Sequence, residues 1–344
     1  MTSSGQFTRV SVVDNRLESP DFSTSRMWPP ALSRQSLRTV LGFIWLLDGA
    51  LQLQSFMFTK GFATGIIAPS ASGQPFFVAG PVEWNARMIG AHPVLFNGVF
   101  ASIQLALGIG FLFRRTARLA IVSSVIWAAG IWYLGEGLGG LAGGHMTALL
   151  GAPGAALLYV ILALIAWPSS DNVTSRGDAF RSERPPGWIF GVWAFLWVGF
   201  AVLSVLPTNA STRSISNQLT SNASGVPSWL AAIDRGLASA VHASGQAAVL
   251  VTAAIELAIG VLALRQGSVR IVALWAGIAV AGLYWGVGQS FGQLFSGQAT
   301  DPSTGPLIIL LALAAFGASR PSSQPNVEAD GTVGAIRSAV QLAA

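Results

Sequence analysis

The chain contains no cysteine among its 344 residues. Disulfides, thiolate metal sites, covalent haem attachment and cysteine-based redox relays are therefore excluded within it. Charged residues are also scarce: they make up 10% of the chain, whereas a soluble domain usually carries about a quarter. The sequence has no serine–histidine–acid order, dinucleotide fingerprint or ATP motif. It therefore does not favour a self-contained enzyme of the soluble type, although it leaves open whether the protein takes part in catalysis.

Hydrophobic residues make up 52% of the chain and are concentrated in long runs. Runs of about 18 to 20 apolar residues are long enough to cross about 30 Å of hydrocarbon. The pattern predicts an all-α, polytopic membrane helix bundle of about eight transmembrane helices. The predicted spans are Val40–Phe58, Val94–Phe113, Leu119–Leu134, Ala148–Trp167, Trp188–Leu206, Gln246–Leu264, Ile271–Val287 and Pro306–Ala318.

The basic residues follow a topological pattern. If the N-terminus is cytoplasmic and eight spans alternate, fifteen of the 19 lysines and arginines lie on the inner side and four on the outer side. This positive-inside bias predicts a multi-pass protein of the bacterial plasma membrane with both termini in the cytoplasm. The formal charge of +5 is explained by this topology, so no nucleic-acid partner is predicted. The polar start of the chain does not resemble a cleaved signal peptide.

Two segments recur at a nearly constant spacing. Ile103–Gly108 (IQLALG) returns as Ile255–Gly260 (IELAIG), 152 residues later, and Gly135–Leu141 (GEGLGGL) returns as Gly288–Leu294 (GQSFGQL), 153 residues later. Because each half holds four predicted spans, the two four-helix repeats should be parallel and related by a pseudo-twofold axis along the membrane normal. The predicted organisation is a disordered cytoplasmic tail (1–37), a first repeat (38–168), a cytoplasmic linker (169–186), a second repeat (187–319) and a second disordered tail (320–344).

The motifs of these spans resemble the DoxX-like (DoxD-like) superfamily of integral membrane proteins. The resemblance is carried by Arg38–Gly49 (RTVLGFIWLLDG), by Gln104–Arg115 (QLALGIGFLFRR) and by Glu256–Arg265 (ELAIGVLALR), so the chain looks like two such units in tandem. The resemblance implies four-helix units, some of which act as small membrane subunits of quinone-linked oxidoreductases. The first half departs from the pattern, because Gln104 stands where the second half has Glu256, and Gln52 or Gln54 stands where the family has a lysine.

Two carboxylates fall about ten residues into predicted spans, namely Asp48 and Glu256. A charge at that depth is costly, so each should face a bundle interior, a cavity or a partner. One interpretation is a proton- or substrate-binding pair, with Gln52, Gln54 and Gln104 in the same polar patch. The other is a set of hydrogen bonds that hold neighbouring helices together.

The outer loops supply further candidates for ligand or proton binding, namely Glu136, His145 and Gln289. The glycine-rich segment around the first two could line a cavity or allow close helix packing. The three histidines, His92, His145 and His242, all lie on the predicted outer side. Imidazole is a good metal ligand, but their dispersed spacing is also typical of interfacial polar residues.

Three functions remain open from the sequence. The first is a membrane subunit of a redox- or quinone-linked or envelope-associated complex, binding a hydrophobic ligand such as a quinone or lipid between its repeats. The second is a proton-coupled small-molecule transporter that uses Asp48 and Glu256. The third is a structural or assembly partner with no site of its own. Beside the lipid bilayer, the first function needs a membrane or peripheral redox partner, because the chain has no ligand set for an electron cofactor. The internal duplication is compatible with a monomer or a small homo-oligomer.

Overall fold

The computed structural model describes residues 30–168, 183–210, 215–217, 219–220, 223 and 226–320. Within these ranges the chain forms helices joined by turns, and it contains no strand. The predicted tails at 1–37 and 320–344 and the predicted linker at 169–186 lie mostly outside the described residues. At the first boundary, helix α1 begins at Arg34, where the Ser33 side chain accepts a hydrogen bond from the Ser36 N–H. An N-cap of this kind satisfies a free N–H of the first helical turn.

The first half contains five main helices: α1 Arg34–Leu51, α2 Phe76–Ala91, α3 Pro93–Leu112, α4 Ala117–Leu134 and α5 Ala155–Ile165. Short helical turns between Ser55 and Ala71 connect α1 to α2. Helix α3 begins with a proline at its first position, where the missing N–H costs nothing. Helix α5 begins later than the predicted span, because Pro153 and Gly154 precede it and Gly154 has a positive φ of 95°.

The described part of the second half also contains five main helices: α6 Ile189–Val205, α7 Ser228–Ser244, α8 Gln246–Leu262, α9 Ser268–Leu283 and α10 Thr304–Ser319. A π-helical segment, Tyr284–Gly288, continues α9. Helices α7 and α8 meet at an angle of 105°. Gly245 lies between them with a φ of 58°, a conformation that favours glycine.

Among the described residues, three helices are long and apolar enough to cross a membrane: α3, α4 and Ser268–Gly288, which is α9 with its extension. A fourth candidate is the bent pair of α7 and α8, if the pair forms one span. Helices α5, α6 and α10 are apolar but shorter. The described residues therefore support a helical membrane protein with three or four candidate spans, and the predicted number of eight is not confirmed.

The outer surface of this bundle is apolar. Large side chains such as Leu119 (70% exposed), Ile126 (69%), Phe195 (79%) and Val272 (65%) point outward from α4, α6 and α9. Contiguous exposed apolar surface marks interaction with a membrane or a partner. Helix α10 has the opposite character, because 12 of its 16 residues are buried. A helix that is apolar on all sides belongs in the core, and α10 packs there against α5, α6 and α9.

Glycines allow the closest helix contact in the first half. An added Cβ on Gly108 of α3 would lie 2.6 Å from Leu46 Cγ and 2.8 Å from the carbonyl oxygen of Gly42 in α1. In the second half, a Cβ on Gly260 of α8 would lie 3.1 Å from the Ala194 carbonyl oxygen in α6. Small residues at such contacts let helix backbones approach in membrane bundles. The α1–α3 contact brings the polar residues of these two helices to a common cavity.

Candidate functional site

A cavity of about 440 Å³ lies inside the first half of the protein. Helices α1 to α5 form most of its wall, and Thr300 and Asp301 complete it from the loop before α10. The wall is mainly aliphatic and aromatic. Ile126 lines the cavity and is also 69% exposed, so the cavity reaches the outer surface of α4. Its volume is within the range of small-molecule sites, about 300–1,000 Å³.

Asp48 of α1 is the most deeply buried acid in this wall, with 1% of its surface exposed. The Tyr159 hydroxyl of α5 donates a hydrogen bond of 2.5 Å to its Oδ2 atom. Its Oδ1 atom is buried and has no hydrogen-bond partner among the described residues. Buried polar atoms in native proteins nearly always have a partner, which can be ordered water or a ligand. Asp48 therefore has one bonded oxygen and one buried oxygen that no described group satisfies.

Two amide side chains add to this polar patch. Gln52 and Gln104 are each 4% exposed, and both line the cavity. The Oε1 atom of each is buried without a hydrogen-bond partner among the described residues. A glutamine amide can present either its oxygen or its nitrogen to a ligand, because the two ends exchange by a simple flip. Each of these side chains therefore brings an unsatisfied hydrogen-bonding atom to the wall of the cavity.

Glu136 approaches the cavity at the N-terminal end of α5. Its carboxylate accepts hydrogen bonds from the Ala156 N–H at 3.1 and 3.3 Å. Gly154 is required beside it, because an added Cβ there would lie 2.2 Å from Glu136 Oε2. Burial and, to a smaller extent, the negative charge of Asp301 raise the pKa of Glu136, the backbone N–H groups of Ala155 and Ala156 partly oppose this rise, and the resulting pKa is about 8. The carboxyl group can therefore gain or lose a proton near neutral pH.

Asp301 extends from the second half of the chain into this wall. Its Oδ1 atom accepts a hydrogen bond from the Ser303 N–H at 2.7 Å, and its Oδ2 atom accepts one from the Thr300 hydroxyl at 2.7 Å. Burial raises the pKa of Asp301, and these two hydrogen bonds partly oppose the shift. Asp301 interacts electrostatically with both Asp48 and Glu136. The three carboxyl groups thus form one cluster, which we call the acidic cluster.

Glu256, the other predicted intramembrane acid, does not line this cavity. It is fully buried, and both of its oxygens are bonded, by the Ser204 hydroxyl at 2.8 Å and by the Tyr284 hydroxyl at 2.9 Å. It therefore joins α6, α8 and the extension of α9.

Gln289 is likewise bonded: its Nε2 atom donates to the Ala148 carbonyl oxygen at 3.1 Å, and its Oε1 atom accepts from the Gly305 N–H at 3.2 Å. It connects the two halves of the chain.

The histidines are separated from one another. His92 is exposed at the junction of α2 and α3, and His242 is exposed in the last turn of α7. His145 packs against Gly73 and Gly143. Among the described residues, no group of three or more histidine, aspartate or glutamate side chains is placed to hold a metal ion. The structure therefore does not bring these three side chains into a common metal site.

Four of the predicted ligand-binding residues meet at the cavity, namely Asp48, Gln52, Gln104 and Glu136. Sequence reasoning missed Tyr159, Trp127 and Asp301. Tyr159 is one of only three tyrosines in the chain, and a hydroxyl within an apolar span would have been a reasonable partner for Asp48. Asp301 gave no such signal, since it lies in a loop distant in sequence from the other acids.

No protein-family model, curated protein or solved structure matches this chain. The functional interpretation therefore rests on the geometry of the cavity.

Proposed function

We propose that the chain is an integral membrane protein built from two tandem DoxX-like units. Corresponding contacts in the two halves support this proposal. The Trp132 Nε1 atom donates to the Pro153 carbonyl oxygen at 2.8 Å, and the Trp285 Nε1 atom donates to the Pro302 carbonyl oxygen at 2.8 Å. Each contact links the end of one helix to the start of the last helix in its half.

The turns after α4 and α9 support the same proposal. Leu138 and Gly139 have φ values of 57° and 61°, and Phe291 and Gly292 have φ values of 55° and 65°. Positive φ values at non-glycine residues are uncommon, so their occurrence 153 positions apart favours a duplicated unit. The basic residues favour placing this unit in the bacterial plasma membrane with both termini in the cytoplasm.

We further propose that the protein binds a lipophilic small molecule in the cavity of its first half. One observation carries this proposal: the wall of an apolar cavity includes Asp48, Gln52 and Gln104, each of which has a buried polar atom with no partner among the described residues. A mainly apolar pocket with a few convergent polar groups is typical of a small-molecule site. The cavity reaches the apolar outer surface at Ile126, so a ligand could enter from the bilayer.

The proposed site lies within the first half, whereas the sequence predicts a ligand site between the two repeats. The contact between the halves includes α5 and α10, which are largely buried and contain many alanines and leucines. In α3, Gln104 stands at the position that corresponds to Glu256 of α8, and its Oε1 atom has no partner among the described residues. In the second half, Ser204 and Tyr284 satisfy that carboxylate.

A lipophilic-ligand site is compatible with two of the roles considered above. In a quinone-linked or envelope-associated complex, the protein would present the ligand to a partner that carries the electron cofactor. In a proton-coupled carrier, the carboxyl groups at the cavity would take part in transport. The presence of Asp48 at the cavity favours the second role, although Glu256 would not be its functional partner. A purely structural role would leave the cavity without a ligand.

The ligand site can be tested by filling it. Gly130 of α4 lines the cavity, and an added Cβ there meets nothing within 4 Å. Gly199 of α6 has equally open surroundings but does not line the cavity. Full-length wild type, Gly130→Phe and Gly199→Phe would be purified in native-lipid nanodiscs, and their bound small molecules would be extracted and measured by mass spectrometry. We expect a molecule that is retained by wild type and Gly199→Phe and depleted in Gly130→Phe. Equal retention by all three would contradict the proposal.

A further inference from the structure

We propose that the ligand of the first-half cavity is a lipophilic organic cation, and that its binding displaces a proton from the acidic cluster. This inference rests on the proposed function, because it names the chemical class of molecule that the same cavity would accept. The quinone considered from the sequence is the competing ligand, and the experiment below distinguishes the two.

The charges around the cavity are of one sign. Asp48, Glu136 and Asp301 line it, and the described residues of its wall include no arginine, lysine or histidine. An ionised carboxylate removed from water is costly unless a positive charge is close to it. A ligand cation would supply the missing charge, whereas an anionic ligand would be repelled.

Aromatic rings in the wall favour the same class of ligand. Trp45, Phe100, Trp127 and Tyr159 all line the cavity. They form two ring pairs, Trp45 with Tyr159 at 4.6 Å between centroids and Phe100 with Trp127 at 5.4 Å. The faces of aromatic rings attract cations, and this attraction is largest where water is excluded. Such a wall suits an organic cation, because the rings can contact its apolar groups while the carboxylates balance its charge.

The unpartnered amides are a second and independent sign of a ligand. Gln52 and Gln104 are each 4% exposed, and their Oε1 atoms have no partner among the described residues. Buried amide oxygens are strong hydrogen-bond acceptors, so they would bind N–H groups or orient their negative ends toward a positive charge. In this respect the wall differs from a cluster of acids whose polar atoms are all hydrogen-bonded within the protein.

Proton displacement follows from the groups that face Glu136. The titratable groups that line the cavity together with it are Asp48, Tyr159 and Asp301, and all of them are acids. Burial raises the pKa of Glu136 to about 8, so its proton is held at neutral pH while the cavity has no cation. A cation in the cavity would favour the carboxylate. One carboxyl O–H group then ionises for each positive charge bound, and the proton passes to the medium.

The test uses two probes of the same shape and opposite charge. Tetraphenylphosphonium and tetraphenylborate would be titrated into full-length protein in nanodiscs at pH 6.5, 7.5 and 8.5, with empty nanodiscs as the blank. A neutral quinone, decylubiquinone, would be titrated in parallel. If one proton leaves for each cation bound, the affinity for tetraphenylphosphonium should rise about tenfold from pH 6.5 to 7.5 and less above pH 8. Tetraphenylborate should not bind above the blank.

Two variants assign the effect to the acidic cluster. Asp48→Asn and Glu136→Gln should each weaken binding of tetraphenylphosphonium by at least about tenfold, and Glu136→Gln should also reduce its pH dependence. Asp234→Asn is the matched control, because Asp234 is a fully buried acid that bonds to Ser290 at 2.7 Å outside the cavity. Size-exclusion profiles identify any variant that fails to fold.

Three results would overturn the inference. If decylubiquinone binds and tetraphenylphosphonium does not, the cavity binds a neutral lipophilic ligand and not a cation. The inference is then wrong, while the proposed function still holds. If tetraphenylphosphonium binds equally to wild type and to the folded Asp48→Asn and Glu136→Gln variants, the acidic cluster is not its site. If no probe binds and no molecule is extracted from wild type, the proposed function fails together with the inference.

Discussion

The contact between α1 and α3 provides a quantitative test of the fold that positions the cavity. An added Cβ on Gly108 would lie 2.8 Å from the Gly42 carbonyl oxygen, whereas ordinary contacts begin at 3.4 Å. The obstacle is backbone, so it cannot rotate away, and α1 would have to move by about 0.6 Å. Overpacking of this kind costs about 1–3 kcal/mol. Gly108→Ala should therefore lower the free energy of unfolding, since helix propensity returns only about 0.5–1 kcal/mol.

Gly98 in the same helix is the matched control, because an added Cβ there meets nothing within 4 Å. Gly98→Ala gains the same helix propensity without the clash. The difference between the two variants isolates the steric cost, and we expect Gly108→Ala to be less stable than Gly98→Ala by about 1–3 kcal/mol. Unfolding by SDS in mixed micelles would measure the difference. Equal stability of the two variants would refute the close approach of α1 and α3.

Three further predictions concern other parts of the molecule. Burial raises the pKa of Glu136 to about 8, so the folded state keeps a proton that the unfolded chain releases. This contribution to stability is complete below about pH 4.5 and is lost as the pH rises to about 8, so Glu136→Gln should flatten that part of the stability–pH curve. Tyr284→Phe should cost about 1–3 kcal/mol, measured by the same SDS titration, because it leaves a buried carboxyl oxygen of α8 unbonded. Because the chain has no cysteine, single cysteines can report topology. Ser72→Cys should react with an impermeant maleimide in intact cells, and Arg115→Cys should react only after permeabilisation.

Each of these predictions has an outcome that would count against it. Glu83 forms an exposed ion pair with Arg87 at 3.7 Å, so Glu83→Gln is the control that removes a carboxyl group from the surface instead of the interior. If Glu83→Gln flattens the stability–pH curve as much as Glu136→Gln does, the burial of Glu136 is not the cause of the pH dependence. A Tyr284→Phe variant as stable as wild type would mean that the buried carboxyl does not need this donor. Labelling of both single cysteines in intact cells would contradict the assigned orientation.

The helical character of the protein could be predicted from its apolar runs, because those runs are longer than any strand requires. The bounds of the helices follow those runs less closely. Helix α5 begins only after Pro153 and Gly154. Helix α7 is a full helix of 17 residues in a segment between two of the predicted spans. Proline and glycine thus delay the start of one predicted span, and a predicted loop contains a helix.

The candidate site could be predicted only in part. Asp48 and Gln104 were recognisable because polar side chains are rare within apolar helices. Their meeting depends on the glycine contact between α1 and α3. Asp301 joins them through tertiary packing across the two halves, which no local pattern encodes. Glu256 had the same sequence signal as Asp48, yet Ser204 and Tyr284 satisfy it, so the signal alone does not separate a ligand site from a helix contact.

The proposal of a ligand cavity in the first half is tested most directly by a cryo-electron microscopy map of the full-length protein in nanodiscs with native lipids. We expect density for a bound molecule among α1 to α5, with its polar end in contact with Asp48 and Gln104 and an aromatic contact at Trp127. A map in which α4 has closed onto α1, with side chains filling the cavity and no added density, would contradict the proposal.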